Sequence, residues 1–122
     1  MNAVDSSAWI SYFREEKNAE KFATPIENLE HLLVPSITLT EVFKYLHRYL
    51  DESSALQAIA HMNQGLVVPL DSKLAVDAAI MGLELKLPLA DSIIYATARK
   101  FEALLWTQDT DFKDLPGVEY FP

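Results

Sequence analysis

The sequence of 122 residues contains no cysteine and only three glycines, and 10 Lys and Arg stand against 18 Asp and Glu. The absence of cysteine excludes a disulfide-stapled secreted scaffold, a thiolate zinc site and a cysteine nucleophile. No hydrophobic run approaches the roughly 20 residues that a membrane-spanning helix needs. Residues 1–7 lack a basic segment followed by an apolar one, so we expect no secretory signal and a soluble, cytoplasmic protein.

The formal net charge of −8 argues against a broad cationic surface that grips nucleic acid through its phosphates. This shortage of cations does not exclude a nuclease. Acidic side chains gathered in one pocket can hold divalent cations, and these then present positive charge to a phosphate. The positions of the acids in the fold therefore decide the function.

Hydrophobic residues make up 50% of the chain, enough for a core of useful size at this length. No repeat, low-complexity tract or flexible linker divides the sequence, so we predict one domain over residues 1–122. Short apolar runs alternate with segments of helical periodicity. This order is typical of an α/β fold in which a central parallel sheet of four to five strands carries helices on both faces.

The individual elements follow from apolar runs, caps and breakers. Predicted strands cover residues 3–5, 32–34, 66–70 and 104–106, with a possible edge strand at 118–121. Helices are predicted after Asp5, from a capping box at residues 24–27, from a cap at Ser36 or Thr38 to Leu50, and over residues 53–63, 72–85 and 90–102.

Four acidic residues follow predicted strands or open the helices after them: Asp5, Glu41, Asp91 and Asp109. In an open parallel sheet the functional crevice lies outside the carboxyl ends of the strands, so these side chains can point into one space. Their apolar neighbours draw them toward the edge of the core, where an unpaired charge is costly. An all-carboxylate site without cysteine favours Mg²⁺ or Mn²⁺ over zinc or copper.

Four segments carry a family resemblance: Asp5-Ser6-Ser7, Thr40-Glu41, residues 89–98 and residues 105–112. In this order and at these spacings the chain resembles a PIN-domain ribonuclease, and within that family the VapC-type toxins of toxin–antitoxin pairs. The resemblance covers nearly the whole chain.

The resemblance implies Mg²⁺- or Mn²⁺-dependent endonucleolytic cleavage of RNA by metal-activated water. It implies that an acidic quartet binds the metal, that Thr107 and Ser7 supply hydroxyls, and that Asp111 is a further candidate ligand; the quartet is Asp5, Glu41, Asp91 and Asp109. It also implies a cognate antitoxin whose basic side chain enters the acidic pocket, and a transfer or ribosomal RNA as the target. A homodimer is expected as well.

Two features depart from the family pattern. Tyr95 stands where alanine is common, and no glycine follows Thr40-Glu41. Neither change touches the quartet, and we expect both to alter the groove and the RNA chosen.

Each residue with a predicted functional role also has a purely structural alternative. Asp5 and Asp91 stand where a helix N-terminus favours a carboxylate, worth about 1 kcal/mol or less, and Asp111 can cap a turn. The basic side chains either line an RNA groove or form solvated faces paired with nearby glutamates; they are Arg14, Lys17, Lys44, Arg48, Arg99 and Lys100. The early helices hold an apolar set that is either core, a dimer seam or a groove for a partner helix: Ile10, Phe13, Phe22, Leu39, Phe43, Leu46 and Leu50.

Two other functions remain open at this point. A receiver-type signalling module is also doubly wound and binds Mg²⁺ at strand ends, but it usually pairs two acids after the first strand, whereas Asp5 stands alone there. A PIN-like module that binds partners without catalysis would be favoured by loss of a quartet member, and none is lost.

Overall fold

Five short strands form one parallel sheet in the computed structural model, which describes residues Met1–Pro122. The strands are β1 (Asn2–Val4), β2 (Leu32–Pro35), β3 (Leu66–Val68), β4 (Leu104–Thr107) and β5 (Val118–Tyr120). The helices are α1 (Ser6–Phe13), α2 (Ala19–Ile26), α3 (Ser36–Tyr49), α4 (Glu52–Met62), α5 (Ser72–Leu85) and α6 (Leu89–Lys100). None of these helices has the length and apolar character needed to cross a membrane.

The strands lie in the order β3-β2-β1-β4-β5, and every neighbouring pair is parallel. The chain leaves β1 toward β2 on one side, and it leaves β4 toward β5 on the other. The carboxyl ends of β1 and β4 therefore flank the point where the winding direction reverses, which is where open α/β sheets form a crevice. The predicted α/β class with up to five parallel strands is confirmed.

Successive strand residues point to opposite faces of the sheet. Ala3 and Leu33 pack with α5 and α6 on one face, and Val4 and Val34 pack with α1 to α4 on the other. Helices cover both faces, as the sequence predicts.

Two predicted helix starts are wrong. The motif at residues 24–27 does not begin a helix; α2 begins at Ala19 and ends at Ile26, with Pro25 in its last turn. Burial of Phe22 and Ile26 in the core fixes this helix and outweighs the local capping signal. In α3 the cap position is Pro35, and Thr38 lies inside the first turn, where its hydroxyl donates to the Pro35 carbonyl.

The apolar set of the early helices is mostly core. Phe22 and Leu46 are fully buried, and Ile10, Phe13, Leu39 and Phe43 pack partly buried against the same cluster. Only Leu50, which is 50% exposed, stands out from that core.

Helices α5 and α6 cross at Gly82 and Ser92. A β-carbon at Gly82 would lie 2.9 Å from the Ser92 β-carbon, closer than real contacts allow. The glycine therefore lets the two helices approach, and this contact lies one residue from Asp91.

We expect Gly82→Ala to lower the free energy of unfolding by about 1–3 kcal/mol, because the added methyl forces the helices apart. At an uncrowded helix interior the same change stabilises by about 1 kcal/mol. In a Ser92→Gly background the space opens, so Gly82→Ala should become neutral or stabilising there. A urea-unfolding double-mutant cycle measures this change of sign, and equal effects in both backgrounds would contradict the crowding.

Candidate active site

Asp5 follows β1 and caps α1. Its backbone is extended, and its Oδ1 accepts a hydrogen bond from the Ala8 amide at 3.1 Å. The Ser7 hydroxyl donates to the same carboxylate, at 3.1 Å from Oδ1 and 3.0 Å from Oδ2. The Asp5 amide donates to the Trp106 carbonyl at 3.2 Å, which ties the end of β1 to β4. Asp5 is thus held at the switch point by α1, which it caps, and by β4, to which its amide is bonded.

The Asp5 side chain is 2% exposed, and burial raises its pKa to about 7. Hydrogen bonding by Ser7, Ala8 and Thr107 acts in the opposite direction, and the charge of Asp109 raises the pKa further. Capping an eight-residue helix does not require this degree of burial. The capping role predicted for Asp5 is therefore confirmed, but it does not explain why the side chain is buried.

Asp109 lies in the loop that follows β4. The Asp109 amide donates to the hydroxyl of Thr107 at 2.9 Å, and the Asp109 Oδ1 accepts from the Asp111 amide at 2.9 Å. Thr107 is fully buried and its carbonyl accepts from the Phe121 amide, so the loop starts from a fixed point. The Thr107 hydroxyl therefore fixes the backbone of Asp109.

Asp91, Asp109 and Asp111 form an acidic cluster in which one oxygen from each residue lies within 4.8 Å of the others. Asp91 is half-buried in the first turn of α6, and its pKa is raised to about 8. Burial is the largest cause, followed by the charge of Asp109, a hydrogen bond with Asp111 and the charge of Asp5. The cap residue of α6 is Pro88 and not Asp91, but Asp91 lies in the first turn, where the helix N-terminus favours a carboxylate as the sequence predicts.

Glu41 reaches this region through a neighbour of Asp5. The Ser6 hydroxyl donates to Glu41 Oε1 at 2.6 Å, which ties α3 to the start of α1. The close three-carboxylate cluster does not include Glu41. The structure therefore ties Glu41 to Ser6, the residue after Asp5, and does not bring it into the cluster.

No cationic side chain neutralises these acids. The one ion pair in the chain joins Lys73 and Asp77 on the exposed side of α5, at 2.9 Å. Uncompensated carboxylates at close range are costly, and a bound divalent cation would relieve their repulsion. Asp5, Asp91, Asp109 and Asp111 offer oxygen ligands for such a cation, so the donor set fits a metal.

Two residues that fix the site region are not predicted from the sequence. Ser6 bonds Glu41, whereas the family resemblance implies a role only for Ser7 of the Asp5-Ser6-Ser7 segment. The buried Asn18 amide donates to Gln108 Oε1 at 3.1 Å and to the carbonyl of Phe121 at 3.3 Å, so it holds the loop before Asp109. No local sequence signal could have identified Asn18, because its partners lie about a hundred positions further along the chain.

Tyr95 does not shape a groove at the site, contrary to the sequence-based expectation. Its ring is 3% exposed and packs near Phe112, and its hydroxyl donates to the Pro116 carbonyl at 2.6 Å. The bulk of Tyr95 serves the core under the loop that leads to β5.

Comparison with known proteins gives one family match and several similar structures. The PIN domain family matches residues 3–118. No curated protein matches the chain at a significant level.

Among solved structures, one chain of a toxin–antitoxin complex from Klebsiella pneumoniae is 25% identical with a TM-score of 0.77, covering 98% of this chain and 96% of that one. Mycobacterium tuberculosis VapC20, described as a toxin that cleaves the sarcin-ricin loop, is 19% identical with a TM-score of 0.81 and full coverage of both chains. VapBC2 from Rickettsia felis, bound to a promoter DNA fragment, is 15% identical with a TM-score of 0.77, covering 98% and 97%.

The last two similarities support the fold alone, since both fall below 25% identity. The family match spans nearly the whole sequence and includes every acid of the cluster. By that match, the chain belongs to the PIN-domain family.

Proposed function

We propose that this protein is a metal-dependent endoribonuclease that acts as the toxin of a toxin–antitoxin pair. One observation carries the proposal: carboxylates from β1, α6 and the loop after β4 meet at the switch point of a PIN fold without any cationic partner. A structural role does not explain this arrangement, because it costs stability in the absence of a cation. The similarity to a chain of the toxin–antitoxin complex from Klebsiella pneumoniae supports the same conclusion.

Asp5, Asp91, Asp109 and Asp111 would hold Mg²⁺ or Mn²⁺, and Ser6 ties Glu41 to the start of α1. The bound cation supplies positive charge to the phosphate and lowers the pKa of water, so no side chain has to act as a covalent nucleophile. Carboxylate oxygens are ligands that both cations prefer.

The surrounding residues prepare the carboxylates for this role. Burial and mutual repulsion keep protons on Asp5 and Asp91 near neutral pH, and these protons must leave when a cation binds. Ser6 fixes Glu41, and Thr107 fixes the loop of Asp109. The geometry is therefore set before substrate arrives.

The two alternatives have less support. A receiver module needs a second acid beside Asp5, but the neighbours of Asp5 are Val4 and Ser6. A non-catalytic scaffold would have no reason to keep so many acids together with Asp5 buried among them.

RNA selectivity and dimer formation belong to the same proposal. With a net charge of −8, affinity for arbitrary RNA should be poor, so we infer cleavage at a few sites in a defined cellular RNA. A transfer or ribosomal RNA is the favoured class. A homodimer would extend the groove and bring basic residues from two copies to the strand.

Cleavage should require Mg²⁺ or Mn²⁺ and should fall at least about 100-fold in Asp91→Asn, because the amide keeps the shape but loses the charge that holds the cation. The matched control is Asp77→Asn, which removes an acid from the exposed ion pair on α5. Gel analysis of total RNA with each purified variant measures this, with chelator in a parallel reaction. Equal activity of the two variants, or full activity in chelator, would contradict the mechanism.

Stability of the metal-free protein should fall as pH rises from about 4 to 8. A folded-state pKa raised above the unfolded value of 3.8 means that the folded protein binds the extra protons, and this stabilisation is lost as Asp5 and Asp91 ionise. For Asp5 alone the loss reaches up to about 4 kcal/mol. Thermal melting in chelator across this range measures it, and Mg²⁺ should restore the most stability at the alkaline end.

Asp5→Asn should flatten this pH dependence, because the amide does not titrate. The slope is the readout, since the substitution also disturbs the hydrogen bonds from Ser7 and Ala8. Asp77→Asn should leave the slope unchanged. A wild-type profile as flat as that of Asp5→Asn would show that the carboxyl ionises freely in the folded protein.

The antitoxin should be a small protein encoded beside this gene, with a DNA-binding region and a tail that carries an Arg. A guanidinium can bridge two carboxylates and displace the metal, so inhibition would be electrostatic. Co-expression of the adjacent reading frame should yield a complex that loses cleavage activity. Replacing the tail Arg with Gln should restore cleavage, and an inactive complex with that variant would refute the electrostatic mechanism.

A further inference from the structure

A surface beside the candidate active site combines basic and aromatic side chains. Along one side of α3 the residues Glu41, Lys44, Tyr45, Arg48 and Tyr49 line a groove of about 290 Å³. They recur at intervals of three or four positions, so they share one helix face. Arg14, at the end of α1, joins them from the neighbouring helix. We call these residues the α3 strip.

The cations of the α3 strip are not paired with acids. The sequence predicts that these cations either line an RNA groove or pair with nearby glutamates. In the structure Arg14, Lys44 and Arg48 form no ion pair. Arg14 Nη1 instead donates to the Tyr45 hydroxyl at 2.8 Å, and its guanidinium carbon lies 5.6 Å from the centre of that ring. The guanidinium carbon of Arg48 lies 5.4 Å from the centre of the Tyr49 ring.

The tyrosines form a continuous aromatic surface. The ring centres of Tyr45 and Tyr49 are 4.6 Å apart, and Tyr49 is 55% exposed. A core role would bury that ring, and a purely solvated role would not order it against a neighbouring ring and a guanidinium. The exposed π-face is a ready surface for a planar ligand.

We propose that the α3 strip binds single-stranded RNA, with one base stacked on Tyr49 and the adjoining phosphates held by Arg14, Lys44 and Arg48. Aromatic rings next to cations are the combination that holds single strands without base pairing. The strip begins at Glu41, whose carboxylate accepts a hydrogen bond from Ser6, the residue after Asp5, and by helical rise it extends about 12 Å from there to Tyr49. It would therefore hold nucleotides that flank the scissile phosphate.

This inference rests on the proposed nuclease function for its position but concerns binding, so binding is measured separately from cleavage. The probes are short single-stranded oligoribonucleotides with 2-aminopurine placed at successive positions. They are titrated in chelator at several salt concentrations, with protein at concentrations high enough to detect the weak binding expected for arbitrary RNA. Wild type should quench the fluorescence of one position, because that base stacks on the ring.

Tyr49→Ala should weaken binding by about 5- to 150-fold and abolish the quenching, the range expected for loss of one stacked base. Tyr49→Phe keeps the ring and should bind like wild type. Arg48→Gln should reduce the slope of log affinity against log salt by about one. Matched controls come from the opposite face of the sheet, where Lys100 lies over the Phe101 ring at 5.6 Å; Lys100→Gln and Phe101→Ala should change neither quantity.

Each outcome separates the two proposals. If Tyr49→Ala and Arg48→Gln bind and quench like wild type, or if wild type binds no probe, the α3 strip does not bind RNA, while metal-dependent cleavage can still stand. If the variants change RNA binding as expected but neither Mg²⁺ nor Mn²⁺ supports cleavage, the nuclease proposal is wrong and the RNA-binding role of the α3 strip stands. If these variants lose only the companion protein on co-purification, the strip is a protein interface and the inference is wrong.

Discussion

Burial of carboxylates next to other acids at the β1–β4 switch point is the constraint on which the rest of the site depends. Asp5 and Asp91 lose solvent and face other acids, and both hold protons more tightly than free aspartate. The fold tolerates this arrangement because surrounding donors fix the side chains. Ser7 and the Ala8 amide hold Asp5, and Thr107 holds the loop of Asp109. The carboxylates thus lower the stability of the fold at the carboxyl-terminal end of the sheet, as is usual for functional sites.

The fold could be predicted from the sequence because its signals are local. Buried apolar runs such as Leu32 to Val34 define strands, and their alternation with helices defines the parallel sheet. The start of α2 could not be predicted, because the position of that helix depends on the burial of Phe22 and Ile26 against distant strands. Local capping signals near Pro25 were weaker than this tertiary packing.

The candidate site, like the fold, could be predicted from the sequence only in part. Acids that follow strands could be identified from spacing, since the topology brings strand ends together. The closeness of Asp111 to Asp91 depends on a turn that the sequence predicts, but the residue that caps this turn is Asp109 and not Asp111. Asn18 and the α3 strip depend on contacts between elements, which spacing along the chain does not encode.

The contact between Gly82 and Ser92 has a consequence for chemistry as well as for packing. Ser92 adjoins Asp91, so the closeness of α5 and α6 sets how deeply the first turn of α6 lies in the crevice. Depth controls desolvation, and desolvation is the largest cause of the raised pKa of Asp91. A glycine without any ionisable group therefore influences how tightly a carboxylate on the adjacent helix holds its proton. Sequence drift at this helix crossing would change the proton affinity of Asp91 without altering a single acidic residue.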